Sequence, residues 1–558
     1  MKNQTLHTKK LIWGVLLIIV LNFISQHIYY RFDLTHDKRY TLSDSTKELL
    51  NKIDAPIEFT ILLQGKNLPA EFRRLQQETK QLLEEFKSIN SNISFLFEDP
   101  LEGEENPGQT MLELDQNGFA PTNIPITKQG SQSIVRVFPW AIGAHLTENK
   151  SVRIPMLINN FGNSGADNIQ KSVEQLEYAF ADAISKLIIT QKKNIAILKG
   201  NGQIQDKYLA DWISHLKPYY MFGEFDLKNL HDNNAKVIEN LDRFDLAVIA
   251  KPTQNFTERE KYLLDQYLMK GKKVIWLLDQ VQFDLDSLNN QNRQNVALGK
   301  DLNLDDMLFR YGVRINYDLI EDYNAVPITL KDQSGQELPL PWLYSFMTLS
   351  KENHIINKST NALKFEFANS IDTLENNIRK TVLAESSAMS RTVGVPQQIN
   401  LFQFEDTEPY QGKPKITAVL LEGAFTSAYK NRVKPFDYPN YKDNSPQTQM
   451  IVISDGDLVN YMYANKRFLY NGYDNWTEII YGNRDFLTNA VHYMLDDTGI
   501  INIRAKEVSL AFFDKEKLKD KYRTSQLITL GIPLVLLCIF GFVFNYIRGK
   551  KYTKPFKK

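Results

Sequence analysis

Apolar residues fall into three patterns along the chain: two unbroken runs near its ends, stripes at helical spacing, and short runs of strand length. Residues 11–30 carry no charge, and as a helix they span about 30 Å, the thickness of a bilayer core. Residues 527–547 form the second run, rich in Leu, Ile, Val and Phe, with Pro533 where a membrane helix tolerates a kink. Between the runs, residues 41–51 predict a short helix capped by Ser43. Residues 57–63 predict a strand. Residues 70–88 predict a helix whose Phe72, Leu75, Leu82, Leu83 and Phe86 share a face. Further strands are expected at 93–97, 133–137 and 151–157. Strand, helix and strand at crossover spacing predict a parallel pair. A Gly/Asn-rich break at 162–167 precedes an amphipathic helix at 173–189, whose Val173, Leu176, Phe180, Ile184 and Leu187 read as a core-facing stripe.

Residues 194–300 show the clearest alternation of strand and helix. Strands at 195–198, 244–250 and 274–278 alternate with helices at 207–216 and 258–269. Gly271 stands where a helix C-terminal cap belongs. The pattern predicts an α/β domain built on a doubly wound parallel sheet. Residues 281–410, rich in Asn, Gln and Ser, read as irregular insertions. The pattern returns with strands at 416–421 and 450–453 and a helix at 484–495. The expected division is a stub and first transmembrane helix at 1–30 and an N-terminal α/β domain at 31–165. A larger α/β domain follows at 166–505, then a juxtamembrane linker at 506–526, a second transmembrane helix at 527–547 and a basic tail at 548–558. By analogy alone, the N-terminal domain is thioredoxin-like. It has no C-x-x-C pair, so thiol redox chemistry is not expected of it.

Composition adds the anchoring argument. The run at 11–30 lacks a small-x-small cleavage site and continues with bulky Phe23, Ile24, Tyr29 and Tyr30, which argues for an uncleaved anchor over a signal peptide. The run at 527–547 is followed by Arg548, Lys550, Lys551, Lys554, Lys557 and Lys558, a basic tail suited to the cytoplasmic side. Two spans put both termini on one side. Basic residues flank both spans on both sides, so charge bias alone leaves the side of the body open. The 66 basic and 66 acidic residues balance, which gives no basic face for nucleic acid. Cys538, the one cysteine, lies in the second run, so the body has no disulfide, thiolate metal site or cysteine nucleophile.

Candidate chemistry is sparse. Gly200-Asn201-Gly202 follows a strand but lacks the third glycine of a dinucleotide fingerprint and the Gly-Lys-Ser/Thr of a P-loop, and reads as a tight turn. Asp455-Gly456-Asp457 offers two carboxylates, short of the six to eight oxygens calcium takes, and also reads as a turn. Ser386-Ser387 has no histidine near it in sequence, and the eight histidines show no ligand spacing. The triplets at Asn255 and Asn475 fit chance in an Asn-rich chain. No catalytic, cofactor-binding or metal-ligating residue is assigned, and no cofactor is expected.

Several segments resemble one family. GKPKITAVLLEGAFTSAYKNR (412–432), IVISDGDLVNY (451–461) and YGNRDFLTNAVHYMLDD (481–497) look like the gliding-motility-associated ABC-transporter auxiliary proteins. So do TLSDSTKELLNKIDAPIEFTILLQG (41–65) and RAKEVSLAFFDKEKLKDKYRTSQLITLGIPLVLL (504–537). The resemblance covers nearly the whole chain and is weakest at 281–400. It implies a two-pass protein of the bacterial inner membrane, with both termini cytoplasmic and a periplasmic body. It also implies an ABC permease subunit and a cytoplasmic ATPase as partners, and a link to gliding. The middle domain is expected to be similar to class I glutamine amidotransferase folds, without their cysteine nucleophile. The expected role is a non-catalytic accessory subunit whose body binds protein or a cell-envelope component. Other readings are a receptor holding a sugar or peptide between its domains, and a tethered hydrolase.

Overall fold

The structure, a computed structural model, describes residues 13–14, 41–65, 68–128, 131–158, 165–228, 233–331, 337–348, 354–358, 360–401, 410, 412–460, 463–464, 467–504 and 515–552. The strand Ile57–Ile61 alternates buried and half-buried positions and sends Ile57, Phe59 and Ile61 inward. Helix Ala70–Ile89 carries the chain over to Ile93–Phe97, which pairs in parallel with the first strand, Ile57 opposite Ile93. Trp140–His145 adds antiparallel on the other side of Ile57–Ile61, and Lys150–Pro155 completes four strands. The helix Asp44–Asn51 starts where the Ser43 side chain accepts the Thr46 N–H. The helix Gly165–Ile188 begins earlier than its apolar stripe, inside the stretch read as a break. Its Phe180 meets Phe59 edge-on at 5.3 Å between ring centroids, a favoured aromatic geometry.

This first core also takes Ile500 and Ile503 from the short helix Ile500–Arg504, beside Leu42, Leu49 and Leu50. The body comprises residues 42–506. Its opening and closing residues therefore share one hydrophobic cluster.

The second sheet has nine strands. Across it run Met221–Asp226, Asn194–Lys199, Leu246–Ala250, Lys273–Leu277 and Asn444–Ile453, all parallel. Ile416–Thr426, Ile371–Thr373 and Val313–Ile315 then continue antiparallel, with Arg379–Glu385 also paired to Ile416–Thr426. The parallel sheet expected from sequence is thus corrected to a mixed one. Residues 427–443 link Ile416–Thr426 to Asn444–Ile453 without a helix, and a return without a crossover makes antiparallel neighbours. Both faces of the parallel part are covered, which is why its strands read as continuous apolar runs. Helices Asn234–Leu241, Glu258–Met269 and Asp305–Tyr311 pack over Ile249, Trp276 and Val452. Helices Ala210–Leu216 and Asn483–Leu495 pack over Val248, Ile275 and Ile451. Glu258–Met269 lies where its pattern predicts, opened by a Thr257/Glu260 capping box. Gly271 follows it at φ +90°, the left-handed conformation that ends a helix.

The described residues of 281–410 are not irregular. Val281–Gln282, Gln294–Gly299 and Gln397–Asn400 form one small sheet, and Asp318–Asp322 pairs with Ser390–Gly394. Ala325–Lys331, Glu337–Thr348 and Leu363–Glu366 form another. They enclose a core of Leu319, Ile328, Trp342, Tyr344, Phe367 and Ile399. Strands with one wet face carry Asn, Gln, Ser and Thr outward, which dilutes the apolar pattern.

Lys515–Tyr552 is one helix with Pro533 inside it, so the segment read as a linker is helical from Lys515 onward. Its stretch Ile528–Lys550 is long and apolar enough to cross a membrane, and none of it is buried by protein. The first apolar run lies outside the described residues apart from Trp13 and Gly14, which are helical and exposed.

Candidate functional site

In open α/β sheets the chemistry gathers beyond the carboxyl ends of the parallel strands. Three adjacent strands end on charged residues here. Lys251 follows Leu246–Ala250, Asp279 stands just beyond Lys273–Leu277, and Asp455 and Asp457 follow Asn444–Ile453. Lys251 adopts φ +48°, a conformation that L-residues seldom take. Its backbone N–H donates to Leu277 O at 2.9 Å, and its ammonium is ion-paired with Asp457. Asp279 Oδ1 accepts the Gly456 N–H at 2.5 Å, and Oδ2 lies 3.9 Å from Lys300 Nζ. Asp455 is fully buried and accepts the N–H groups of Asp457 at 2.7 Å and Glu366 at 2.8 Å. A Cβ at position 456 would lie 2.7 Å from Lys251 Cγ and 2.8 Å from Asp279 Oδ2, so only glycine lets the turn close over the lysine.

Burial would pull the Lys251 ammonium down, but Asp457, Asp279 and Asp455 outweigh it and hold the pKa above the ordinary lysine value. Burial, then the Asp457 charge, pushes Asp279 up, and the same pair of causes pushes Asp455 well up. Lys300 is lowered by burial. A lysine held as an ammonium has no lone pair to attack with. The neighbouring Ser454 hydroxyl is committed, donating to Asn369 O at 2.5 Å. The cluster can therefore lock three strand ends together and present a partly accessible Lys251–Asp457 pair. It contains its own cation, and among the described residues no group of His, Cys, Asp or Glu is arranged to hold a metal.

The other sequence candidates are occupied by the fold itself. Gly200 and Gly202 have φ +108° and +68°, and a Cβ at Gly202 would lie 2.1 Å from Thr253 Oγ1. Between them Asn201 O accepts the N–H groups of Thr253 and Gln254, both at 3.0 Å, so the turn clamps the loop after Lys251. Ser386 Oγ contacts Ser390 Oγ at 2.7 Å, and Ser387 donates to Asp322 at 2.5 Å. His492 is buried, with Nδ1 3.0 Å from the Tyr220 hydroxyl. Near it a cleft of about 400 Å³ opens among Lys52, Asp54, Lys193, Tyr219, Tyr220 and Asp497. It lies at the amino ends of the parallel strands, opposite the Lys251 cluster.

Sequence reasoning singled out Asp455 and Asp457 but not Lys251, Asp279 or Lys300. A usable sign was present: each of LAVIA, KVIWLL and IVIS runs straight into a charged residue or its neighbour. In a parallel sheet such residues arrive at one edge.

An uncharacterized protein of Borreliella burgdorferi is 20% identical over 567 aligned residues, covering 99% of this chain and all of that relative. Among solved structures, the one described as "mmIFT52 N-terminal domain" is 11% identical, covers 54% of this chain and 97% of its own, and has a TM-score of 0.32. A ThuA-like protein of Parabacteroides merdae is 11% identical, covers 55% of this chain and 90% of its own, and has a TM-score of 0.26. At those scores neither likeness carries an argument. A domain of unknown function matches residues 36–144. The family described as an ABC-type uncharacterized transport system matches residues 192–490, which hold both the parallel strands and the Lys251 cluster. That match covers more than half of the chain, and the chain belongs to this ABC-type transport-system family.

Proposed function

We propose that the chain is a membrane-anchored, non-catalytic accessory subunit of an ABC-type transport complex linked to bacterial gliding. The family match carries the transport part of this reading, the resemblance of the quoted segments supplies the link to gliding, and the exposed helix Ile528–Lys550 offers an anchor. The partners are a permease and a cytoplasmic ATPase in the inner membrane. The body is periplasmic, both termini are cytoplasmic, and residues 11–30 form the second anchor. The first sheet is read as thioredoxin-like and the second as amidotransferase-like, each used as a binding scaffold. A clamped ammonium at the carboxyl ends of the parallel strands, where chemistry gathers in such sheets, favours binding over catalysis. Purification in mild detergent is expected to bring the ATPase and permease with this chain. Recovery of the chain alone, where comparable complexes stay whole, would remove the reading. Protease added to cells with opened outer membranes tests the topology, and a body that resists it argues against a periplasmic location.

The cleft at Tyr219 and Tyr220 favours a second reading, a receptor for a sugar or peptide held between the two sheets. Its test is calorimetric titration with cell-wall sugars and short peptides. Heats unchanged by Tyr219→Ala would set it aside.

A further inference from the structure

The loop from Tyr470 to Tyr481 is built inside out. Tyr470, Trp476, Ile479 and Ile480 are between 41% and 57% exposed, while its acid Asp474 is fully buried. Asp474 Oδ1 accepts from Lys364 Nζ at 2.7 Å. Asp474 Oδ2 accepts the N–H and hydroxyl of Thr477 at 2.8 and 2.7 Å. The backbone closes on itself. Asp474 N–H donates to Ile479 O and Glu478 N–H to Asp474 O, both at 2.9 Å, and Tyr481 N–H donates to Gly472 O at 2.8 Å. A Cβ at Gly472 would lie 2.5 Å from Tyr481 O, and Glu478 takes φ +57°. Asn471, also buried, ties the loop to Leu458 O at 3.3 Å and Asn460 O at 3.2 Å, in the segment that follows Asp457.

Surface loops ordinarily put polar groups outward. Here polar groups go into the scaffold, and four large apolar side chains are held in water by a loop with little freedom left to lose. Such a patch marks an interaction surface, already ordered for binding. Its residues are those enriched where a bilayer meets water: Trp and Tyr beside aliphatics. In sequence Lys466 and Arg467 adjoin the loop, against exposed Glu478, while Asp474 is neutralised by Lys364 and Arg484 by Asp211. That charge suits anionic headgroups. A body tethered by Ile528–Lys550 also meets a lipid surface at high effective concentration, so a small apolar patch suffices for contact.

We infer that the Tyr470–Ile480 face rests in the headgroup boundary of an anionic bilayer, the membrane that holds the chain's own helix. The inference rests on the anchored reading above, and the lone cysteine separates the two. The full-length chain in nanodiscs is labelled with an environment-sensitive fluorophore at native Cys538, or at Ile480→Cys or Val433→Cys in a Cys538→Ser background. Lipids with a doxyl quencher in their acyl chains report contact. Expected are quenching at 538 and at 480, none at Val433, which is 93% exposed, and stronger quenching at 480 with phosphatidylglycerol than with phosphatidylcholine. Trp476→Ser, which leaves the Asp474 scaffold intact, is expected to weaken the signal at 480. Quenching at 538 without quenching at 480 overturns the lipid contact and leaves the anchor standing. A label at 480 that is shielded only when permease and ATPase are present assigns the face to protein and overturns it as well. Loss of quenching at both sites removes the anchor, and the lipid contact with it.

Discussion

The Lys251 ammonium meets the Asp457 carboxylate from the far side of a third strand: Lys273–Leu277 lies between the strands that deliver them. The pair bridges across that strand's end, and it is the positive charge set among Asp279, Asp455 and Asp457. Lys251→Met is therefore expected to lower stability by about 3 kcal/mol, because removing one partner strands buried charge. The double variant Lys251→Met with Asp457→Asn is expected to lose less than the sum of the singles. Urea unfolding of the four proteins measures the coupling, and additive losses would show that the pair does not interact.

A second prediction concerns acid. Burial holds His492 at a pKa of about 4, against about 6.5 for a free histidine. The folded state refuses a proton that the unfolded chain accepts, so stability falls as pH drops from about 6.5 toward 4. The whole loss is on the order of 3 kcal/mol, at about 1.4 kcal/mol for each unit. His492→Gln is expected to be less stable at neutral pH, having lost its fit beside Tyr219 and Tyr220, yet flatter across that window. Denaturation midpoints taken every half unit of pH would show equal slopes if His492 were not responsible.

Lys364 is the cation that holds Asp474 inside the apolar-faced loop. Lys364→Met leaves that carboxylate buried and unpaired, and the loop is expected to open before the body unfolds. Hydrogen exchange is the measurement. Amides of Asp474, Glu478 and Tyr481 should exchange faster, while those of Leu246–Ala250 stay protected.

For the C-terminal helix, Ile539→Arg places a charge near the middle of Ile528–Lys550. Insertion is expected to weaken by about 2.5–3.5 kcal/mol. The fraction of the chain that resists carbonate extraction should fall, whereas an unchanged fraction would mean that this helix does not cross lipid.

What the sequence disclosed depends on how each element buries its side chains. Glu258–Met269 was fully legible, because cap, stripe and terminal glycine agree within one short stretch. Strands buried on both faces, such as Leu246–Ala250, announced themselves as unbroken apolar runs. The edge strand Met221–Asp226 is not legible, since a half-exposed MFGEFD with an internal glycine carries little strand character. Nor is Asn234–Leu241, at eight residues too brief to set a period. The small sheets of 281–410 hid behind their polar faces. The Lys251 cluster was only half visible: its members lie far apart in sequence, and strand order alone brings them together.

Leu42, Ile500 and Ile503 lie in one cluster, so the chain enters and leaves its body through the same seam. Tension applied at the two ends is borne first by that seam, with both sheets in the closed loop beyond it. The seam is also fastened to the helix over the nine-stranded sheet, because Arg504 donates to Asn489 Oδ1 at 2.8 Å and pairs with Asp485. A pull that parts the seam must break these contacts too before it reaches the Lys251 cluster.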